Sequence, residues 1–177
     1  GIPIIFYAGA AMKGTIKDSF PFASISSLAA ALFFAAIKGP VEEFGWRGLA
    51  LPLLQRRLAP FWAGLVLGGI WGLWHLPAFL LSGTEQSQWS FAPFFVGCLA
   101  ISIIATALFN ASRGSILLSA LFHYMLMNPV FPDAAPYDTY MLVCVALVVA
   151  YLGRKTMFAT GSAVTAVVPA DGLGGIR

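Results

Sequence analysis

The sequence predicts an all-α protein, a polytopic bundle of transmembrane helices with about five to six helices in these residues. Two observations carry this expectation. Of the 177 residues, 59% are hydrophobic and only 10% charged, whereas a soluble domain carries about 25% charged residues. The mean hydropathy is +0.86, and the apolar residues fall in runs near the roughly 20 that cross a bilayer core as helix. Inside lipid the backbone must satisfy its own polar groups, so each run reads as helix.

Taken in order, residues 1–12 form a short apolar stretch that opens at Gly1 without a methionine. This predicts that further helices precede it, so residues 1–21 are read as an incomplete apolar segment and loop. The next run, Phe22–Leu54, is interrupted at Lys38-Gly39-Pro40. Proline is favoured in a first helical turn, so a new helix is expected to begin near Val41. That start would set Glu42 and Glu43 in the favourable field of a helix N-terminus, with Lys38 placed to pair with one of them. Phe61–Leu81, Phe91–Phe109, Ser115–Phe131 and Thr139–Leu152 supply the remaining helices. Residues 22–153 are thus the membrane core, and residues 154–177, rich in small side chains, are expected to be a flexible tail.

Loop charges set an orientation. Arg56-Arg57, Arg113 and Arg154-Lys155 mark one end of the bundle. Glu85 and the two aspartates of the Pro132–Asp138 loop mark the other, with Trp89, Tyr137 and Tyr140 as interfacial aromatics. Under the positive-inside rule the arginine ends, and with them the C-terminus, are cytoplasmic. Lys13 and Lys17 lie against this scheme, offset in part by Asp18. The net charge of +3 without a dense basic patch predicts no nucleic-acid partner; the partners are the bilayer and a membrane-borne protein or peptide. Cys98 and Cys144 have neither disulfide nor metal spacing and read as packing residues.

Ionisable groups inside membrane helices are costly, and each is by default a functional candidate. Here they are Lys38, Glu42, Glu43, Arg47, His75 and His123. Depth is consistent across helices. At 1.5 Å per residue, Glu42 lies roughly 21 Å from Arg56, His123 roughly 15 Å from Arg113, and Asn128 roughly 22 Å from it. His75 lies at most about 27 Å from Arg57. These groups can share one layer of a core about 30 Å thick.

Glu43 and Arg47 are one helical turn apart and suit a charge-assisted pair. Glu42 is rotated about 100° from Glu43, so the two carboxylates are free to do different work. A carboxylate and a histidine sharing one water form a general-base arrangement, and Asn128 could donate to a developing oxyanion. Two histidines and a glutamate would equally hold zinc with an open position, although the His-Glu-x-x-His signature is absent. Either scheme predicts hydrolysis.

Three ordered motifs, each on its own apolar run, resemble the CAAX protease and bacteriocin-processing (CPBP/Abi) family of intramembrane proteases. They are Glu42-Glu43-Phe44-Gly45-Trp46-Arg47-Gly48, Trp71-Gly72-Leu73-Trp74-His75-Leu76-Pro77, and Asn110 through Arg113-Gly114-Ser115 to His123. The resemblance covers residues 38–131. It implies peptide-bond hydrolysis in or near the bilayer, with Glu42 as the water-activating base and His75 holding that water. It implies support from Glu43 and Arg47, and substrate polarisation by His123 and a downstream asparagine. It further implies a glutamate-dependent mechanism with no required metal, zinc being the alternative. The first motif looks like the bacterial branch, which implies a bacterial plasma membrane. One departure stands out: the family places Asn four residues after the last His, where this sequence has Met127, with Asn128 fifth and Pro129 next. Local unwinding before Pro129 is the route by which Asn128 could return to the site.

Two other readings fit the same residues. A non-proteolytic scaffold or immunity protein of this fold would use the Glu, Arg and His groups as interhelical glue. A transporter or proton relay would also bury them, but would call for inverted repeats or paired broken helices, and the sequence has a single interrupted segment.

Overall fold

In the computed structural model, residues 1–16 and 22–165 are described; Lys17 and Asp18 lie outside them, as do residues 166–177. The described residues contain helices and no strand: α1 (Ile2–Lys13), α2 (Ile25–Gly45), α3 (Leu51–Gln55), α4 (Pro60–Trp74), α5 (Leu76–Leu80), α6 (Phe91–Ala111), α7 (Ile116–Leu126), α8 (Tyr137–Leu152) and α9 (Arg154–Met157). Among the described residues, three helical stretches are long and apolar enough to cross a membrane, Ile25–Gln55, Pro60–Leu80 and Phe91–Ala111. The outer faces suit lipid: Phe33, Ile37, Val41 and Phe44 on α2 and Val66, Ile70 and Leu73 on α4 are all exposed.

The first long stretch differs from its expected form in an informative way. Helix α2 runs straight through Gly39-Pro40 rather than restarting at Val41. In lipid a break would strand several backbone groups, whereas one proline removes a single donor. Glu42 and Glu43 therefore sit inside a helix, away from any N-terminal dipole. Lys38 is exposed on the outer face and makes no ion pair with either glutamate. The irregularity comes later, as a π-turn over Trp46–Ala50 in which the Leu51 N–H donates to the Trp46 carbonyl. Pro52 accounts for it: the ring lacks an N–H and would press on the Gly48 carbonyl, so the helix widens just ahead of it.

Helix α6 packs against both α4 and α8, α2 packs against α7, and α1 lies on α8. The α4–α6 approach depends on glycine at one face of α4. A Cβ on Gly68 would fall 2.9 Å from both the Cys98 carbonyl oxygen and the Leu99 Cα, so the two backbones meet where a side chain would stand, as membrane helices commonly do. Buried Leu51, Ala63, Leu67 and Phe109 fill the centre of the arginine end, while Ala100, Ile103, Leu142 and Ala146 join α6 to α8.

The arginine ends do meet. Gln55 and Asn110 exchange side-chain hydrogen bonds (2.6 and 3.2 Å), and both grip Val164: its carbonyl accepts from Gln55 Nε2 and its N–H donates to Asn110 Oδ1, each at 2.9 Å. Phe158 stacks on Phe61 at 4.7 Å and Met157 is buried. The segment from Arg154 to Val164 is thus packed rather than loose, while residues 166–177 of the expected tail lie outside the described residues. At the opposite end Lys13 forms an ion pair with Asp133 (2.6 Å). That pairing explains how one of the two discordant lysines sits among acidic residues.

Candidate active site

Three helices bring the predicted residues together. Glu42 and Glu43 come from α2, Arg47 from its π-turn, His75 from the end of α4, and His123 from the last turn of α7. Helix α7 has only 11 residues, roughly 16 Å of rise, about half the thickness of a bilayer core, and it carries His123 near its C-terminal end. Gly39 lets it in: a Cβ at that position would fall 2.9 Å from His123 Nε2 and would overlap Met127 Sδ.

Glu43, Arg47 and His123 form one buried cluster. Arg47 Nη1 donates to Glu43 Oε1 at 2.8 Å, and His123 Nδ1 lies 2.8 Å from the same oxygen. Glu43 and Arg47 are each only 1% exposed. Three of their polar atoms, Glu43 Oε2 and Arg47 Nε and Nη2, are buried with no hydrogen-bond partner. A carboxylate against His123 Nδ1 fixes the ring so that Nδ1 carries the proton and Nε2 faces α2.

Glu42 has different partners. Its Oε2 accepts from two indoles, Trp71 Nε1 at 3.0 Å and Trp46 Nε1 at 3.2 Å. The rotation expected between the two glutamates therefore appears as two separate sets of contacts. His75 stands where α4 tightens and turns into α5, because Pro77 cannot continue the helix past the Leu73 carbonyl. Its backbone N–H goes to Gly72, leaving the Trp71 carbonyl to the imidazole itself: His75 Nδ1 donates to it at 2.8 Å. The Nε2 lone pair is then the acting one. Trp71, Trp74 and Phe94 pack edgewise around the ring at 4.9–5.6 Å between centroids.

Trp71 touches four residues of this site. Besides Glu42 and His75, its ring lies 5.3 Å from His123 and 5.9 Å from the Arg47 guanidinium. Trp46 and Trp71 both lie in the motifs quoted from the sequence, where neither is assigned a role at the site. The available signal was spacing, since Trp46 follows Glu42 by one turn and Trp71 precedes His75 by one turn. That two indole donors share one carboxylate oxygen depends on how α2 and α4 meet, which no spacing within one helix reveals.

Asn128 lies beyond the end of α7, which stops at Leu126. The helix does unwind ahead of Pro129, and Asn128 Oδ1 accepts from the Val130 N–H at 3.1 Å, fixing the side chain in the turn. As for a metal, no group of three or more His, Cys, Asp or Glu side chains gathers among the described residues. His123 Nδ1 and Glu43 Oε1 are engaged with each other, so the donor atoms left to a zinc ion would be those of Glu42 and His75, His123 Nε2 and Glu43 Oε2.

A family model described as type II CAAX prenyl endopeptidase Rce1-like matches residues 24–128, a stretch that holds every residue of the site. CAAX prenyl protease 2 of Methanococcus maripaludis is 30% identical over 138 residues, 72% of this chain and 51% of that protein. The chain thus spans about half the length of that curated relative. Because the relative is archaeal, it lends no weight to a bacterial origin.

Proposed function

The chain belongs to the Rce1-like type II CAAX prenyl endopeptidase family, and from that premise we propose that it is an intramembrane endopeptidase whose nucleophile is a water activated by Glu42. The observation that carries this is the pair of groups joined through Trp71. Glu42 Oε2 and His75 Nδ1 are both held by that residue, which leaves Glu42 Oε1 and His75 Nε2 as acceptors for the two protons of one water. A water so held keeps its lone pairs for attack.

As the water oxygen bonds to the scissile carbonyl carbon, its proton passes to Glu42. Glu42 then returns the proton to the leaving nitrogen, the C–N bond breaks, and a carboxylic acid and an amine result; the second water proton, left on the acid, passes to the amine to give a carboxylate and an ammonium group. Asn128, through the amide group that its turn leaves unpaired, and His123, in its doubly protonated form with Nε2–H as the donor, are assigned to polarising the carbonyl. Glu43 and Arg47 hold His123 in place. No step calls for a metal.

The substrate proposed is a membrane-associated protein or peptide bearing an apolar chain. Beside the site runs a groove of about 520 Å³ lined by Trp46, Ala50, Leu53, Leu54 and Ile70, with Arg57 also in its wall. Its apolar walls suit a hydrocarbon chain, and Arg57 suits a carboxylate. The location proposed is the plasma membrane with the C-terminus cytoplasmic.

The test is cleavage of prenylated and unmodified peptides by the purified protein in lipid vesicles, read by mass spectrometry, for wild type and Glu42→Ala. The reading predicts a new C-terminus in wild type and at least about a hundredfold loss in the variant. Equal activity in both would refute it, and Asn128→Ala at wild-type rate would remove that residue from the mechanism.

A further inference from the structure

We infer that Trp46 and Trp71 are positioning residues for Glu42: their two indole N–H groups hold Oε2 and so assign Oε1 as the oxygen that takes the proton from water. This rests on the proposed role of Glu42 as base and adds what directs it. A buried carboxylate with both oxygens equivalent can turn about its last bond and offer either one to several partners. Here both donors converge on a single oxygen, at 3.2 and 3.0 Å, from two different elements. The π-turn contributes Trp46 and the α4 face contributes Trp71.

The two indoles are themselves restrained. Trp71 is 6% exposed and lies edgewise to both histidines, while Trp46 meets Trp74 edge to face at 6.0 Å. An indole N–H only donates, so it cannot accept the proton that Glu42 picks up and cannot compete with water for the role of nucleophile. The same Trp71 fixes His75 through its main-chain carbonyl, so one residue orients both water-holding groups, one by side chain and one by backbone. Trp46 also lines the apolar groove, which places one of the two donors in contact with whatever chain occupies it.

The experiment separates donation from packing. Each tryptophan is replaced in the full chain by Phe and, through unnatural amino-acid incorporation, by benzothienylalanine, which keeps the bicyclic shape and lacks the N–H. Peptide cleavage in vesicles gives kcat and KM. A hydrogen bond to a charged group corresponds to about a tenfold change in rate or more. Both replacements of Trp71 are therefore expected to lower kcat about tenfold, the combined Trp46 and Trp71 variant about a hundredfold, and KM should stay within about twofold. Wild-type kcat in the benzothienylalanine variants would overturn the inference, because shape alone would then suffice.

Resonance Raman of the indole N–H band checks the geometry without relying on turnover. Two of the five tryptophans should lose their acceptor in Glu42→Ala, and an unchanged band would also overturn the inference. Full activity in Glu42→Gln would instead refute Glu42 as base, a failure of the underlying reading and distinguishable from the first.

Discussion

Glu42 and Glu43 are neighbours in sequence with opposite surroundings. Glu43 sits in a closed cluster with Arg47 and His123, and Glu42 is only half-buried between two indoles. Removing one member of a buried ion pair strands the other charge and typically costs about 3–5 kcal/mol. Arg47→Leu is accordingly expected to lose stability on that scale, measured by unfolding in mixed detergent micelles, with a smaller loss when Glu43→Gln is added. Equal stability of Arg47→Leu and wild type would show that the cluster is not a structural lock. The charged members of the site were legible in the sequence because membrane burial makes any ionisable residue conspicuous. Their indole partners were not, because a tryptophan in an apolar helix looks the same whether its N–H is used or idle.

At the scale of elements, the arrangement depends on where proline acts. The sequence suggested a helix break at Gly39-Pro40, but the backbone of α2 continues through it, since a single lost donor costs less than an exposed helix end in lipid. Pro52 and Pro77 do alter the path, giving the π-turn that carries Arg47 and the corner that carries His75. Gly39 acts by what it lacks, leaving room for the end of α7. Gly39→Ala would drive a methyl group into His123 and Met127, and overpacking of this kind typically costs about 1–3 kcal/mol. We expect that variant to lose activity more steeply than stability, measured as kcat against unfolding free energy, because the ring it displaces belongs to the site. A wild-type kcat would show that α7 can shift without consequence.

Over the whole molecule, three residues far apart in sequence, Gln55, Asn110 and Val164, meet at one end, while Lys13 and Asp133 meet at the other. The alternation of loop charge made this two-ended layout legible. The packing of residues 154–164 was not, because small and weakly patterned residues give no sign that buried Gln55 and half-buried Asn110 will hold their backbone. If the arginine end is cytoplasmic, Lys155→Cys in intact cells should react with a membrane-impermeant maleimide only after permeabilisation, and Glu85→Cys should react before it. The reverse pattern would invert the proposed orientation.

The most direct test of the central claim is cleavage of a prenylated peptide by the wild-type protein in vesicles with and without a strong zinc chelator, beside Glu42→Ala. A glutamate-activated water predicts that cleavage persists in the chelator and disappears in the variant. Loss in the chelator, restored by added zinc, would contradict the account and make Glu42 and His75 parts of a metal site.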